Sequence, residues 1–147
     1  MRSRTIAIAL ATAAALLALP AMAQRGWMQE REIRAELTHV MLSGLYPSNI
    51  AWVEQINPDG TTDYQEGKER RPGRWSVTGE LYCFTYSQPH QGGCFRVVRH
   101  SANCYELYTV SIGGVAPSPP PPASAMSWNG RMWRETERAT CEEKPIS

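Results

Sequence analysis

Short segments of alternating polar and apolar residues, each ended by turn-forming residues, follow one another from residue 50 onward. They recur at intervals of about eight to twelve residues, a spacing typical of antiparallel β proteins. The segments are IAWVEQI (50–56), TTDYQ (61–65), RWSV (74–77), LYCFTY (81–86), CFRVVR (94–99) and CYELYTVSI (104–112). Together with a hairpin near the C-terminus, they predict a mainly β fold, an antiparallel barrel or sandwich of about seven to eight strands.

The connections between these segments carry turn signals of different strength. In NPDG (57–60), the proline suits the second position of a type I turn and the glycine suits a positive φ. We expect EGKERRPG (66–73) to form a polar loop. A three-residue turn over TGE (78–80) would place Trp75 opposite Cys83 on the next strand.

Two features mark the C-terminal third of the chain. PSPPPP at 117–122 predicts a polyproline II spacer inside a longer loop. The Asn-Gly pair at 129–130 is the strongest short hairpin signal in the sequence. A two-residue loop at that pair would put Met126, Trp128 and Trp133 on one face of the hairpin.

An amphipathic helix is predicted ahead of the strands. Its apolar face has helical spacing and consists of Ile33, Leu37, Val40, Met41 and Gly44. Gly44 suits the position just after the last helical residue. The sequence therefore predicts one N-terminal helix of about 15 residues that needs a partner surface.

The start of the chain has the composition of an export signal. Arg2 and Arg4 precede an apolar run, and Ala-Met-Ala at 21–23 supplies a small-x-small cleavage site. We therefore expect a signal peptide at 1–23 and a single β-rich domain at 24–147, either periplasmic or secreted. The apolar run is short for a membrane span, so a retained anchor is the less favoured alternative and no span is expected after cleavage.

Four cysteines follow the predicted leader, namely Cys83, Cys94, Cys104 and Cys141. An even number in an exported chain favours disulfides, and four cysteines allow three pairings. His90 and His100 each stand four positions before a cysteine, which raises the alternative of a metal site. The spacing is unlike a zinc knuckle and export favours oxidation of the thiols, so we predict neither a metal nor a cofactor.

The ordered motifs between about residues 37 and 99 resemble the bacterial domain-of-unknown-function family 995, small exported proteins of lipocalin-like or MORN-like character. The matching positions are Trp52, Asp59-Gly60, Tyr64, Gly73, Trp75, Gly79, Cys83 and Cys94. The resemblance implies a β-rich, lipocalin-like exported domain with a Cys83–Cys94 disulfide, and it assigns no activity. Cys104 would then pair with Cys141, whereas a competing Cys94–Cys104 bond would join Cys83 to Cys141.

No familiar catalytic motif is present in the sequence. G-x-S-x-G and H-E-x-x-H are both missing, and acids such as Asp59 and Asp63 lie at turns, where carboxylates are usually solvated. The basic run KERRPGR (68–74) is expected to be a solvated loop, with an anionic envelope polymer or acidic partner as the alternative. Removing both leader arginines turns the formal net charge of +1 into about −1, which disfavours nucleic acid.

Aromatic side chains are the best candidates for ligand contact. The predicted set is Trp52, Tyr64, Trp75, Trp128 and Trp133. They could line the interior of a small barrel or simply fill its core. We predict an exported, non-enzymatic protein that binds a small apolar or aromatic ligand or an envelope protein. The alternatives are a small hydrolase with a carboxylate pair in a barrel cleft and a purely structural envelope protein.

The predicted leader gives a direct test. Cleavage after Ala23 should leave Gln24 as the first residue, because Ala-Met-Ala fits the small-x-small rule. Mass spectrometry of the exported protein measures this terminus. Any other first residue would contradict the assignment.

Overall fold

The computed structural model describes residues 26–87, 92–111 and 127–141. The predicted leader at 1–23 and the proline-rich segment at 117–122 lie outside these ranges. Within the described ranges, no helix is long and apolar enough to cross a membrane.

The described residues form one helix followed by a closed antiparallel barrel of eight strands. The elements are α1 (Glu30–Leu37), β1 (Met41–Leu45), β2 (Ala51–Ile56), β3 (Thr61–Glu66), β4 (Glu69–Thr78), β5 (Leu81–Tyr86), β6 (Gly93–Ser101), β7 (Cys104–Ser111) and β8 (Gly130–Arg134). Each strand pairs with its neighbours in sequence order, and β1 pairs with β8. The predicted mainly β, lipocalin-like barrel with one N-terminal helix is confirmed, and the sandwich alternative is excluded.

Side chains alternate between the inside and the outside of the barrel. Along β2, Trp52, Glu54 and Ile56 are buried, while the residues between them are half-buried. The register carries this alternation to the next strand, where Glu54 pairs with Tyr64. Since paired residues of a ladder share a face, inward positions on one strand meet inward positions on the next.

The predicted helix is shorter than expected. It ends at Leu37, because Thr38 is extended and His39 has a φ of 61°. The following residues form β1, which is paired on both sides, so Gly44 lies within a strand and does not end the helix. Backbone pairing with two neighbours outweighs the helical spacing of the apolar residues, which is ambiguous over so short a run.

The expected loop at 66–73 was also wrong, because most of it belongs to β4. The turn is confined to Gly67 and Lys68, and Glu66 pairs with Glu69. The turn between β4 and β5 has two residues instead of three, since Thr78 pairs with Leu81.

The shorter β4–β5 turn shifts the register by one residue. Trp75 therefore lies opposite Phe84 and not Cys83. A shift of one position reverses the face of every side chain, so Trp75 points into the barrel while Cys83 points out.

The predicted hairpin at the Asn-Gly pair does not form as expected. Ser127 and Trp128 are not in a strand, and β8 pairs with β1 and β7. Asn129 instead accepts a hydrogen bond from the amide of Thr109 at 2.7 Å. Met126 lies outside the described residues.

Two disulfides fasten the barrel. Cys83 bonds to Cys94 between β5 and β6, and Cys104 bonds to Cys141 beyond β8. The competing Cys94–Cys104 pairing is thereby excluded. By the chain-entropy model, such bonds contribute about 2–4 kcal/mol each, chiefly by restricting the unfolded chain.

Helix α1 closes one end of the barrel. Ile33 and Leu37 are fully buried, and the Leu37 carbonyl accepts a hydrogen bond from the Tyr82 hydroxyl at 2.8 Å. Arg34 donates to the carbonyl of Val77 near the end of β4 at 2.8 Å. The opposite end carries the β1–β2 and β3–β4 connections, and no helix covers it among the described residues.

A glycine on β1 permits a close approach of the Trp52 ring to the barrel wall. A Cβ atom at Gly44 would lie 2.7 Å from Cη2 of Trp52 and closer still to two other ring atoms. Gly44→Ala should therefore destabilise the protein by about 1–3 kcal/mol, because the ring has to move. Urea unfolding measures the change.

Gly130→Ala is the matched control in a neighbouring strand. Its Cβ would meet Leu107 Cδ1 at 3.5 Å, an ordinary contact, so the change should be much smaller. Equal destabilisation by the two substitutions would show that the close contact between Gly44 and Trp52 is not the reason why a side chain at position 44 lowers stability.

Candidate functional site: an aromatic cavity in the barrel

A cavity of about 480 Å³ occupies the half of the barrel away from α1. The other half is filled by packed side chains, including Leu42, Ile56, Val77, Tyr82, Val97 and Tyr105. On β2, Trp52 and Glu54 line the cavity while Ile56 lies in the packed half. On β5, Phe84 and Tyr86 line it while Tyr82 lies in the packed half. The interior is therefore half core and half open space.

Aromatic rings form a continuous wall around much of this cavity. Tyr46 lies 6.1 Å from Trp52 between ring centroids, and Trp52 lies 6.1 Å from Tyr64. Tyr64 lies 5.5 Å from Tyr86, which stacks on Phe84 at 6.4 Å. Neighbouring rings at these distances attract one another beyond the effect of burial alone. The wall is therefore a coherent apolar surface built from β2, β3, β5 and the β1–β2 connection.

Glu54 is the buried acid of the cavity and is only 4% exposed. Its Oε1 atom accepts hydrogen bonds from the Tyr86 hydroxyl at 2.6 Å and the Thr62 hydroxyl at 2.8 Å. Burial raises the pKa of Glu54 to about 7, although both hydrogen bonds oppose the rise. This carboxyl can therefore exchange a proton near neutral pH.

A second polar chain runs along β3 near the open end. The hydroxyls of Tyr46 and Tyr64 lie 2.7 Å apart, and the Tyr64 hydroxyl donates to Glu66 Oε2 at 2.6 Å. Burial and the Glu66 hydrogen bond both raise the pKa of Tyr64, so its hydroxyl stays protonated at neutral pH. The side chains of Tyr46, Tyr64 and Glu66 thus form one hydrogen-bonded chain.

Arg71 lines the cavity from β4. Its guanidinium lies 5.5 Å from the centre of the Tyr64 ring and forms an ion pair with Glu69. Arg70, on the outer face, forms an ion pair with Asp63. The basic run at 68–74 is therefore partly neutralised by neighbouring acids. It is not the expected solvated loop, because residues 69–74 lie in β4. The alternative of a site for an anionic polymer or an acidic partner stays a prediction.

Two of the predicted ligand-contact residues, Trp52 and Tyr64, line the cavity. Trp75 does not belong to its described lining. Its ring lies 6.4 Å from that of Tyr82 in the packed half, and its Nε1 donates to the Asn57 carbonyl at 2.8 Å. The two-residue β4–β5 turn sets this position.

The other two predicted tryptophans lie away from the cavity lining. Trp133 borders a groove on the outer face with Val53, because Met132 takes the inward position of β8. The ring of Trp128 lies 4.7 Å from the Arg131 guanidinium. Trp128 and Trp133 were expected on one face of a hairpin with its turn at residues 129–130. That hairpin does not form, because β8 pairs with β1 and β7.

Sequence reasoning missed Glu54 and Arg71 as site residues. It sought acids near turns, whereas Glu54 lies within a strand, two positions after Trp52 and hence on the same face. Period-two alternation along 50–56 was the signal that could have placed this acid inside. Arg71 was hidden because its segment was assigned to a loop.

The described residues include no group of three or more His, Cys, Asp or Glu side chains that could hold a metal ion. All four cysteines are in disulfides. The thiolate ligands that a cysteine metal site requires are therefore consumed.

Comparisons with models of protein families, with curated proteins and with solved structures found no significant match. The resemblance to family 995 accordingly stays a prediction. Any functional conclusion depends on the geometry of the barrel.

The buried acid predicts a pH dependence of stability. Because its folded-state pKa of about 7 lies above the ordinary value of 4.5, Glu54 holds its proton more tightly in the folded protein. Its contribution is complete below pH 4.5 and is lost as the pH rises through about 7, by a total of about 3 kcal/mol. Urea unfolding of wild type and Glu54→Gln at several pH values measures this loss as a difference.

Glu137→Gln, which changes an exposed carboxyl, is the matched control and should follow the wild type. The two curves for wild type and Glu54→Gln should diverge between pH 4.5 and 7. Parallel curves over that range would contradict a raised pKa of Glu54.

Proposed function

We propose that this is an exported, non-enzymatic binding protein that holds a small, largely apolar or aromatic ligand in its barrel cavity. The single observation that carries the proposal is the open, ring-lined half of the barrel. Had side chains filled both halves, a purely structural role would be favoured.

The size and lining of the cavity support a small ligand. Its volume of about 480 Å³ lies in the range of ligand pockets, about 300–1,000 Å³. Such pockets combine mainly apolar walls with a few placed polar groups. The cavity has that composition, since its ring wall surrounds the Glu54 carboxyl and the hydroxyls of Tyr46 and Tyr64.

The proposed location rests on the cysteines and on the leader. Two disulfides favour an oxidising compartment, as found outside the cytoplasm. The predicted signal peptide would direct the chain there. The disulfides and the predicted signal peptide both support a periplasmic or secreted location.

A hydrolase is the second candidate, and two inward-facing acids favour it. Glu54 pairs with Tyr64, and Trp52 pairs with Glu66, so the two carboxyls occupy diagonal positions on neighbouring strands. Diagonal positions on paired strands lie about 7–8 Å apart, so their two side chains can reach into the same cleft, as the two carboxyls of a glycosidase must. Cleavage of 4-nitrophenyl glycosides that is lost in both Glu54→Gln and Glu66→Gln would favour this candidate.

The binding proposal predicts that the neutral fluorescent probe N-phenyl-1-naphthylamine enters the cavity and gains fluorescence. Thr109→Trp should weaken probe binding by about tenfold or more, because an indole at this half-buried lining position would occupy the space. Fluorescence titration measures the affinity. Urea unfolding checks that the variant is folded.

Trp133→Ala is the control, since Trp133 borders the outer groove and does not belong to the described lining of the cavity. It should retain the wild-type affinity. If the wild type fails to bind the probe, or if Trp133→Ala loses binding and Thr109→Trp does not, the cavity is not the binding site.

A further inference from the structure

We propose that the cavity selects an organic ammonium cation with an apolar or aromatic body, whose charged nitrogen lies against the Glu54 carboxyl. This inference rests on the proposed binding function and names the chemistry of its ligand. It depends on a half-satisfied buried acid, on the ring wall around it and on the balance of charge in the cavity.

The Glu54 carboxyl has one oxygen available to a ligand. Both hydrogen bonds that it accepts, from Tyr86 and Thr62, go to Oε1. Oε2 accepts no hydrogen bond from the described residues. It is also not fully enclosed by protein atoms. Since Glu54 lines the cavity and is only 4% exposed, this oxygen opens into the cavity. An ammonium donor would satisfy it with a charge-assisted hydrogen bond.

The rings supply a second source of attraction for a cation. Trp52, Tyr46, Tyr64 and Tyr86 form one connected group at the same end of the barrel as Glu54. The face of an aromatic ring carries negative charge density and attracts ammonium groups, most strongly where water is excluded. The same rings bind an apolar body through burial, so a ligand with both parts uses the whole cavity.

The charges facing the interior favour a cation over an anion. Glu66 faces inward next to Trp52, so two carboxyls, Glu54 and Glu66, lie near the cavity. Arg71 is the only cation in the described lining, and its guanidinium is already paired with Glu69. An anionic ligand would need to break that pair or remain close to both acids.

Binding of a cation should release a proton. Near neutral pH part of the Glu54 population is protonated, and an adjacent ammonium favours the carboxylate. Other titratable or charged groups on the inner face around Glu54 include Tyr46, Tyr64, Glu66, Arg71, Tyr82 and Tyr86. The tyrosines carry raised pKa values and stay neutral in this range. Glu54 is therefore the expected source of the proton.

Three ligands that share one ring system test the charge preference. They are 2-(2-naphthyl)ethylammonium, the neutral 2-(2-naphthyl)ethanol and the anionic 2-naphthylacetate. Each competes with N-phenyl-1-naphthylamine at pH 7.5 on the exported protein. The ammonium should bind at least about tenfold more tightly than the alcohol, and the carboxylate more weakly than both.

Glu54→Gln isolates the contribution of the acid. It should weaken ammonium binding by about tenfold, and alcohol binding by clearly less, because only the ammonium loses a charge-assisted hydrogen bond. Calorimetry of the wild type at pH 7, in two buffers with different ionisation enthalpies, should detect release of a fraction of a proton with the ammonium and none with the alcohol. The charge series and the proton release need no variant, so they remain decisive if Glu54→Gln fails to fold.

The outcomes separate this inference from the binding function itself. If the probe binds and the alcohol competes as well as the ammonium, the cavity binds ligands but the cation preference is wrong. Preference for the carboxylate would assign the cavity to anions through Arg71 and would overturn the inference. Failure of the wild type to bind the probe would overturn the binding function first.

Discussion

Pairing of β1 with β8 is the interaction on which the rest of the molecule depends. It joins the first strand to the last, so that each of the eight described strands has a partner on both sides. Closure removes the free strand edges that otherwise attract other chains. It also divides every strand into an inner and an outer face. Gly44 leaves room for the Trp52 ring against β1. The buried indole N–H of Trp52 has no hydrogen-bond partner among the described residues.

The closed interior is divided between a packed core and open space. Helix α1 and the side chains above it form a packed core at one end, with Ile33 and Leu37 fully buried. The other end keeps open space between aromatic rings. Glu54 lies at the boundary, where ionisation of its carboxyl inside the barrel opposes folding as the pH rises. A buried acid that lowers stability, in a cavity and with an accessible oxygen, is the kind of local conflict that commonly marks a functional position.

Much of the fold could be predicted because strands leave a local, period-two signal. The segments at 50–56 and 81–86 form β2 and β5 almost at the expected bounds. The helix was predicted too long because its apolar spacing continues into β1, and short apolar runs suit either structure. The start of β4 was missed because consecutive basic residues resemble a loop, although Arg70 and Arg71 are paired with acids on or beside the sheet.

The sequence by itself determined where most strands and turns lie, that the cysteines would form disulfides, and that one helix precedes the sheet. These properties follow from neighbouring residues and from the number of cysteines. Only the tertiary structure decided which aromatic residues share a cavity and that Glu54 faces it with a raised pKa. The reason is the register of the strands. A β4–β5 turn with one residue fewer than expected moved Trp75 away from Cys83. The faces of Trp133 and Glu54 depend on pairing with strands that are separate in sequence.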